Sequence, residues 1–412
     1  MNGNTIPLCQ GCGAPLTRTL VDLGLSPLSN AFVPLSKAGQ TDPTYPLHAR
    51  VCDECLLVQV DSVAPPSEIF HDYVYFSSFS DSWLEHCRGY AAMVTARFGL
   101  DANSQVVEVA SNDGYLLKNF VAAGIPALGV EPAANVAEVA RSRGIPTEVA
   151  FFGAETARRL AAQGKSADLL AAKNVLAHVP DINDFVEGVR ILLKPEGVFT
   201  VEFPHLLNLI KDVQFDTIYH EHYTYLSLVA VERIFARHGL RVFEVEEVPT
   251  HGGSLRVFAC LTGASHAEMP GVAAVRAKES AAALDRPEGY AGFQARVEKV
   301  RDDLLAFLKK AKAEGKSVAA YGAAAKGNTL LNYSAIGTGQ IGFVVDRNPA
   351  KQDKLLPGSH IPVRAPEAID EARPDYVVIL PWNLRDEVVK QLAYIRSWGG
   401  RFVTAVPELH VD

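Results

Sequence analysis

From residue 105 onward the chain alternates short apolar runs with stretches patterned for helices. Residues 105–110, 127–131, 167–172 and 198–203 are apolar runs of strand length. Between them, 115–123 (closed by Gly124), 133–142 and 182–193 read as helices. Strands alternating with helices at this spacing predict a doubly wound parallel sheet. Residues 241–248 and 255–261 flank Gly252–Gly253 and predict an antiparallel edge hairpin that closes the unit.

A second α/β unit follows the first. Residues 317–322 read as a strand entering the small-residue loop 322–328, and 341–346, 376–380 and 402–404 are further strands. A charged, alanine-rich stretch at 268–314 predicts helix linking the two units. At the other end, residues 1–65 carry short β-like runs and turns. An aromatic, hydroxyl-rich run follows at 67–80, and then a helical pattern at 81–98. The expected fold is α/β in three parts: a small N-terminal module at 1–65, a doubly wound domain at 66–265, and a helical linker with a Rossmann-like domain at 266–412.

Composition acts by exclusion. A length of 412 residues exceeds one ordinary core. A net charge of −8 opposes a phosphate-backbone binder, so no nucleic-acid partner is expected. No apolar run approaches the roughly 20 residues of a membrane helix. The start, Met1–Asn2–Gly3–Asn4, lacks the basic and apolar segments of a signal peptide. The expected location is the cytoplasm. The sequence does not set the oligomeric state, and a monomer is compatible with it.

Four of the six cysteines form two pairs, Cys9/Cys12 and Cys52/Cys55. In a reducing compartment such CxxC pairs point to a metal more than to disulfides. Two knuckles complete a closed tetrahedral zinc site with no open position, hence structural zinc without chemistry. Cys87 and Cys260 stand alone and read as core or helix residues.

The first strand of the central domain ends in a loop that predicts a nucleoside pocket. Glu108, Ala110, Asn112 and Gly114 lie on that strand and loop, Tyr115 opens the helix, and Glu131–Pro132 follow the second strand. Small residues let backbone approach a ligand, and a carboxylate ending the second strand accepts ribose hydroxyls. The loop lacks the G-x-G-x-x-G of a dinucleotide site. Asp113 would repel a pyrophosphate and tolerate a sulfonium, which favours S-adenosylmethionine over NAD. Asn174 and His178 follow the buried strand at 167–172, where such a domain builds its site.

Downstream, Tyr219–His220–Glu221–His222–Tyr223 packs several proton-handling side chains together, as an enzyme that moves protons requires. In the C-terminal unit, Lys326 in its alanine-rich loop reads as a phosphate contact or a solvated lysine, and Asp346 as a nucleotide contact or a helix cap. His251 and Arg256 flank a glycine turn, with Arg256 available to a substrate phosphate or to an acidic neighbour.

Taken in order, these motifs resemble the sugar C-methyltransferases that act on deoxysugar nucleotides. The resemblance spans nearly the whole chain: the CxxC pairs, the run 73–78, Glu108–Tyr115, Gly129–Pro132, 215–225, His251–Arg256 and Gly322–Asn328. It implies an N-terminal zinc domain, a central S-adenosylmethionine domain and a C-terminal domain that helps hold the sugar nucleotide. The implied substrate is a 4-keto-6-deoxy sugar on dTDP or a related nucleotide. The base falls on His222, with Tyr219, Glu221 and His178 at further active-site positions. Phe76 lacks the hydroxyl of its position in the run, leaving polar duties there to Tyr73, Tyr75 or serines such as Ser77. The expected reaction is C-3 methylation through an enolate; C-5 methylation or a CDP- or GDP-linked sugar is the near alternative. A nicotinamide-dependent oxidoreductase is the alternative of another class.

Overall fold

The computed structural model describes residues 6–63 and 81–412. Tyr73, Tyr75 and Ser77 lie outside the described residues. At the centre is a seven-stranded sheet built from β1 (Val106–Val109), β2 (Ala127–Val130), β3 (Thr147–Glu148), β4 (Ala167–Lys173), β5 (Leu193–Pro204), β6 (Leu240–Val248) and β7 (Ser254–Leu261). Their order is β3-β2-β1-β4-β5-β7-β6. All neighbours are parallel except β7, which runs antiparallel to both β5 and β6. The four β1 residues are all buried, as a strand covered on both faces requires. One face packs on the helices Ala154–Ala162, Ile182–Leu192 and Leu228–Arg237. The helix Asp81–Phe98 covers the other through Cys87, Tyr90 and Val94.

The N-terminal module is an antiparallel sheet of Arg18–Ser26, Tyr45–Val51 and Val58–Val60. Its fourth strand comes from far along the chain: Thr224–Tyr225 pairs with Val58–Gln59. The C-terminal sheet has six strands, with Val318–Tyr321 at its centre between Val344–Val345 and Tyr376–Ile379. In the stretch expected as linker, Pro270–Ala281 and Phe293–Ala313 are separate helices. The first is bound to the central domain, where its buried Glu279 accepts from His205 and from the backbone N–H groups of Leu228 and Val229. The second contributes Val297, Val300 and Leu304 to a core shared by the N-terminal sheet, residues 206–218 and the C-terminal unit. No helix among the described residues is long and apolar enough to cross a membrane.

Candidate active site

The loop after β1 is shaped for close backbone approach. Ala110, Asn112 and Gly114 all take positive φ, a conformation L-residues adopt only under local constraint. Glu131 supplies that constraint. One carboxylate oxygen accepts from Asn112 N–H at 2.9 Å and the other from Ala133 N–H at 2.9 Å. Glycine is required at 129, where a Cβ would lie 2.3 Å from Ser111 Oγ. Glu108 is fully buried beside the equally buried Tyr115. Burial raises its pKa well above the usual carboxylate range, against the opposing pull of Tyr115 and Lys173. A cationic ligand would relieve that penalty. Asp113 has a different role from the one expected. Its carboxylate pairs with Arg143 at 3.0 Å, so Glu108, and not Asp113, marks the loop as receptive to a cation.

The acid/base cluster lies beyond the carboxyl ends of these strands. His222 Nδ1–H donates to the Thr217 carbonyl at 3.0 Å, which leaves Nε2 unprotonated to accept from the Tyr219 hydroxyl at 2.8 Å. The two rings lie 4.0 Å apart. His178 meets His222 edge-on at 4.6 Å and is fixed by Nδ1–H donation to the Glu221 carbonyl at 2.8 Å. Desolvation in the cleft lowers both imidazoles, His178 to about 4 and His222 well below its ordinary value, with His178 adding to the second shift. Both rings are therefore neutral at pH 7. Glu221 is 7% exposed, and burial raises its carboxyl to about 7, opposed by an amide donor from Asn30 at 2.7 Å. His220 is structural: it faces away, against Tyr45 and the Pro46 carbonyl.

The predicted substrate residues separate into two groups. His251 is brought to the cluster: its Nε2 bonds the Asn174 amide at 3.1 Å, and its φ of 54° is left-handed. Lys326 also reaches the site. It donates to Asn383 at 2.7 Å, lies 4.7 Å from the Trp382 ring, and opposes Asp216 electrostatically. Arg256, by contrast, has the acidic neighbours foreseen as its alternative, Glu202 at 2.6 Å and Glu246 at 2.8 Å. Asp346 braces its own loop, accepting from Ala323 and Asn348 N–H, each at 2.8 Å.

Several residues here carried no readable signal. Burial raises Asp216 to about 6 although Lys326 and Trp382 oppose it, and Trp382 Nε1–H donates to it at 2.8 Å. Asn30 and Trp382 sit in unremarkable sequence. Lys173, at the end of an apolar strand, was the one available hint of a buried ionic network. It pairs with Glu202, which also accepts from His86 at 2.9 Å, under the ring of Tyr90. Burial alone would raise Glu202, but Lys173, His86 and Arg256 hold it below the ordinary range. Removing one partner of so buried a network would leave an uncompensated charge.

In the N-terminal module the four sulfurs of Cys9, Cys12, Cys52 and Cys55 lie within 4.8 Å of one another. The closest pairs are 3.4 Å apart, well beyond a disulfide. Gln59 donates to Cys9 Sγ at 3.1 Å, a contact suited to thiolate. The donor set fits one closed zinc site, and Asn183 and Arg237 bind the knuckle carbonyls of Gln10 and Gly11 from the central domain.

C-methyltransferase NovU of Streptomyces niveus is 37% identical over 403 residues, covering 98% of this chain and 96% of the relative. The chain belongs to the C-methyltransferase family. Family matches divide this C-methyltransferase into a zinc binding domain (residues 9–70), a methyltransferase domain (83–245) and a C-methyltransferase C-terminal domain (249–407). A ubiquinone biosynthesis O-methyltransferase of Chelativorans sp. (strain BNC1) is 31% identical over 116 residues, 26% of this chain and 46% of that protein. Among solved structures, the PH0226 protein from Pyrococcus horikoshii OT3 is 17% identical with a TM-score of 0.38, covering 47% of this chain and 98% of that one. This C-methyltransferase is an S-adenosyl-L-methionine-dependent enzyme with a class I methyltransferase domain and structural zinc.

Proposed function

We propose that this C-methyltransferase alkylates C-3 of a 4-keto-6-deoxy sugar carried on a nucleoside diphosphate, dTDP first among them, through an enolate that His222 generates. The observation that carries the reading is the His222–Tyr219 pair, with its tautomer fixed by Thr217 and its unprotonated Nε2 turned to a hydroxyl. The full-length likeness to a named C-methyltransferase and the ordered deoxysugar motifs support the same substrate class. S-adenosylmethionine supplies an electrophilic methyl group when bound.

The chain's own residues account for the rest. His222 is neutral at working pH and takes the C-3 proton at Nε2. As that nitrogen becomes N–H, the Tyr219 hydroxyl loses its acceptor and turns to the developing oxyanion at C-4. Lys326, whose charge is felt at His222, favours negative charge there, and His178 packs edge-on against His222 and holds its ring in place. Glu221, poised at about 7, orients the segment and holds or releases a proton near neutrality. Such a base contributes about 10²–10⁴-fold, and oxyanion donors a comparable share. Glu108 and Glu131 hold the cofactor, with Asn112, Gly114, Tyr115, Pro132 and Asn174 around it.

The test is incubation with labelled S-adenosylmethionine and 4-keto sugars on dTDP, CDP and GDP, then location of the new carbon by NMR. In D2O with S-adenosylhomocysteine present, wild-type enzyme should exchange the C-3 proton and His222→Gln should not. Methyl incorporation into none of these sugars, or equal exchange by both proteins, would overturn the reading.

A further inference from the structure

We propose that Asn30 is a positioning residue of the methyl-transfer site, held by Asn328 of the C-terminal unit and acting through Glu221. The inference rests on Glu221 serving the reaction proposed above. Asn30 follows the first strand of the zinc-bearing module, yet its amide donates to Glu221 Oε2 at 2.7 Å across the domain boundary. Asn30 is itself exposed, so the contact is made at the mouth of the cluster rather than in a sealed core.

The segment carrying Asn30 is fixed largely by the C-terminal unit. Asn328 Nδ2 donates to the Ser29 carbonyl at 2.6 Å, and both residues are buried. Next to it, Thr329 donates to the Ile218 carbonyl at 3.0 Å, directly before Tyr219. Gly327 lets this helix pack closely on its own unit, since a Cβ there would lie 2.8 Å from Leu380 Cδ1. Farther along, Val33–Pro34 pairs with Lys354–Leu355, and Asp42 accepts from Gly358 N–H at 2.6 Å and His360 at 3.0 Å. The run Lys326–Thr329 therefore grips both sides of the acid/base cluster: Asn328 through Ser29–Asn30, and Thr329 through Ile218. A loop that reads in sequence as a phosphate cradle serves here as a clamp.

Glu221 is the group through which this clamp reaches the chemistry. A neutral amide donating to a carboxylate stabilises the ionised form, and deleting it favours the protonated one. The other titratable groups about Glu221 are His178, bonded to its carbonyl, and Tyr223 and Tyr225, whose hydroxyls are raised by burial first and by its charge second. None of these contacts is made by Asn30.

The experiment compares Asn30→Ala, Asn30→Asp, Asn328→Ala and Glu221→Gln in the full-length, zinc-loaded enzyme. It reads kcat against pH together with S-adenosylhomocysteine affinity. Asn30→Ala should lower kcat at pH 7 about tenfold, the scale of one charged hydrogen bond. It should also move the acid limb upward, with cofactor affinity unchanged. Asn30→Asp keeps the side chain's shape and sets a like charge beside Glu221, so its limb should move further. Asn328→Ala should move it the same way by less. If Asn30→Asp and Asn328→Ala keep the wild-type limb while Glu221→Gln abolishes it, Asn30 is packing only and the proposal falls. If Glu221→Gln itself keeps wild-type turnover and profile, the fault lies in the role given to Glu221, and the inference falls with it.

Discussion

In the central sheet, Ala110 N–H donates to the Val130 carbonyl at 2.7 Å, and Glu131 then clamps Asn112 and Ala133. In the C-terminal sheet, Gly322 N–H donates to the Val345 carbonyl at 2.7 Å, and Asp346 clamps Ala323 and Asn348. Each unit thus closes its first loop with the acid that ends its second strand. They differ in what lies two residues before the loop. The central strand carries the buried carboxyl of Glu108, while the C-terminal strand carries Ala320. The helix Ala325–Tyr333 that follows the C-terminal unit's first loop is docked on its neighbours, with Asn328 on the Ser29 carbonyl and Thr329 on the Ile218 carbonyl. One unit thus keeps a buried carboxyl for a cationic ligand, and the other turns the same scaffold into a support for its neighbour.

The largest expected effect falls on the segment both units hold. His222→Gln should cut turnover by about 10²–10⁴-fold and leave S-adenosylhomocysteine affinity intact by calorimetry. Next, Glu131→Ala should weaken that affinity by roughly 10²-fold, as loss of the loop brace and of hydrogen bonds to a charged group implies. Asp346→Ala should leave the affinity unchanged. Equal losses in the two variants would break the comparison.

A third prediction concerns pH and stability. The Glu221 carboxyl is raised in the folded state from 4.5 to about 7. Between those values the native state holds the extra proton, so stability falls as pH rises through this window and levels off above it. Glu221→Gln removes that dependence. The variant should match wild type near pH 4 and exceed it by up to about 3 kcal/mol at pH 8 in urea unfolding. A smaller effect is expected at Gly252, with φ 88° and a hypothetical Cβ 2.6 Å from Trp382. Gly252→Ala should displace Trp382 and raise the KM for the sugar a few-fold, by roughly 1 kcal/mol, with kcat nearly unchanged.

The sequence made the periodic parts legible. The runs at 105–110, 127–131, 167–172 and 198–203 each became a strand of the central sheet, and the hairpin lies at its edge as its glycines indicated. The cysteine pairs converged because their spacing alone describes knuckles. Contacts set by tertiary docking were not legible. Thr224–Tyr225 is too short to show a strand pattern, and its partner lies some 165 residues earlier (224 against 59). Asn30, Asp216 and Trp382 act only because three units meet, so no local pattern distinguishes them. Lys326 reads as a phosphate ligand because a small-residue loop precedes a helix, but its ammonium is engaged by Asn383 and Trp382.

The pairing of Thr224–Tyr225 with Val58–Gln59 also bears on how such enzymes can be recombined. A metal module transplanted between relatives would arrive with a bare strand edge where the recipient's reactive loop must seat. Chimeras that exchange the first sixty residues alone should therefore misplace the histidine segment, whereas those that carry residues 218–226 along with them should retain their register.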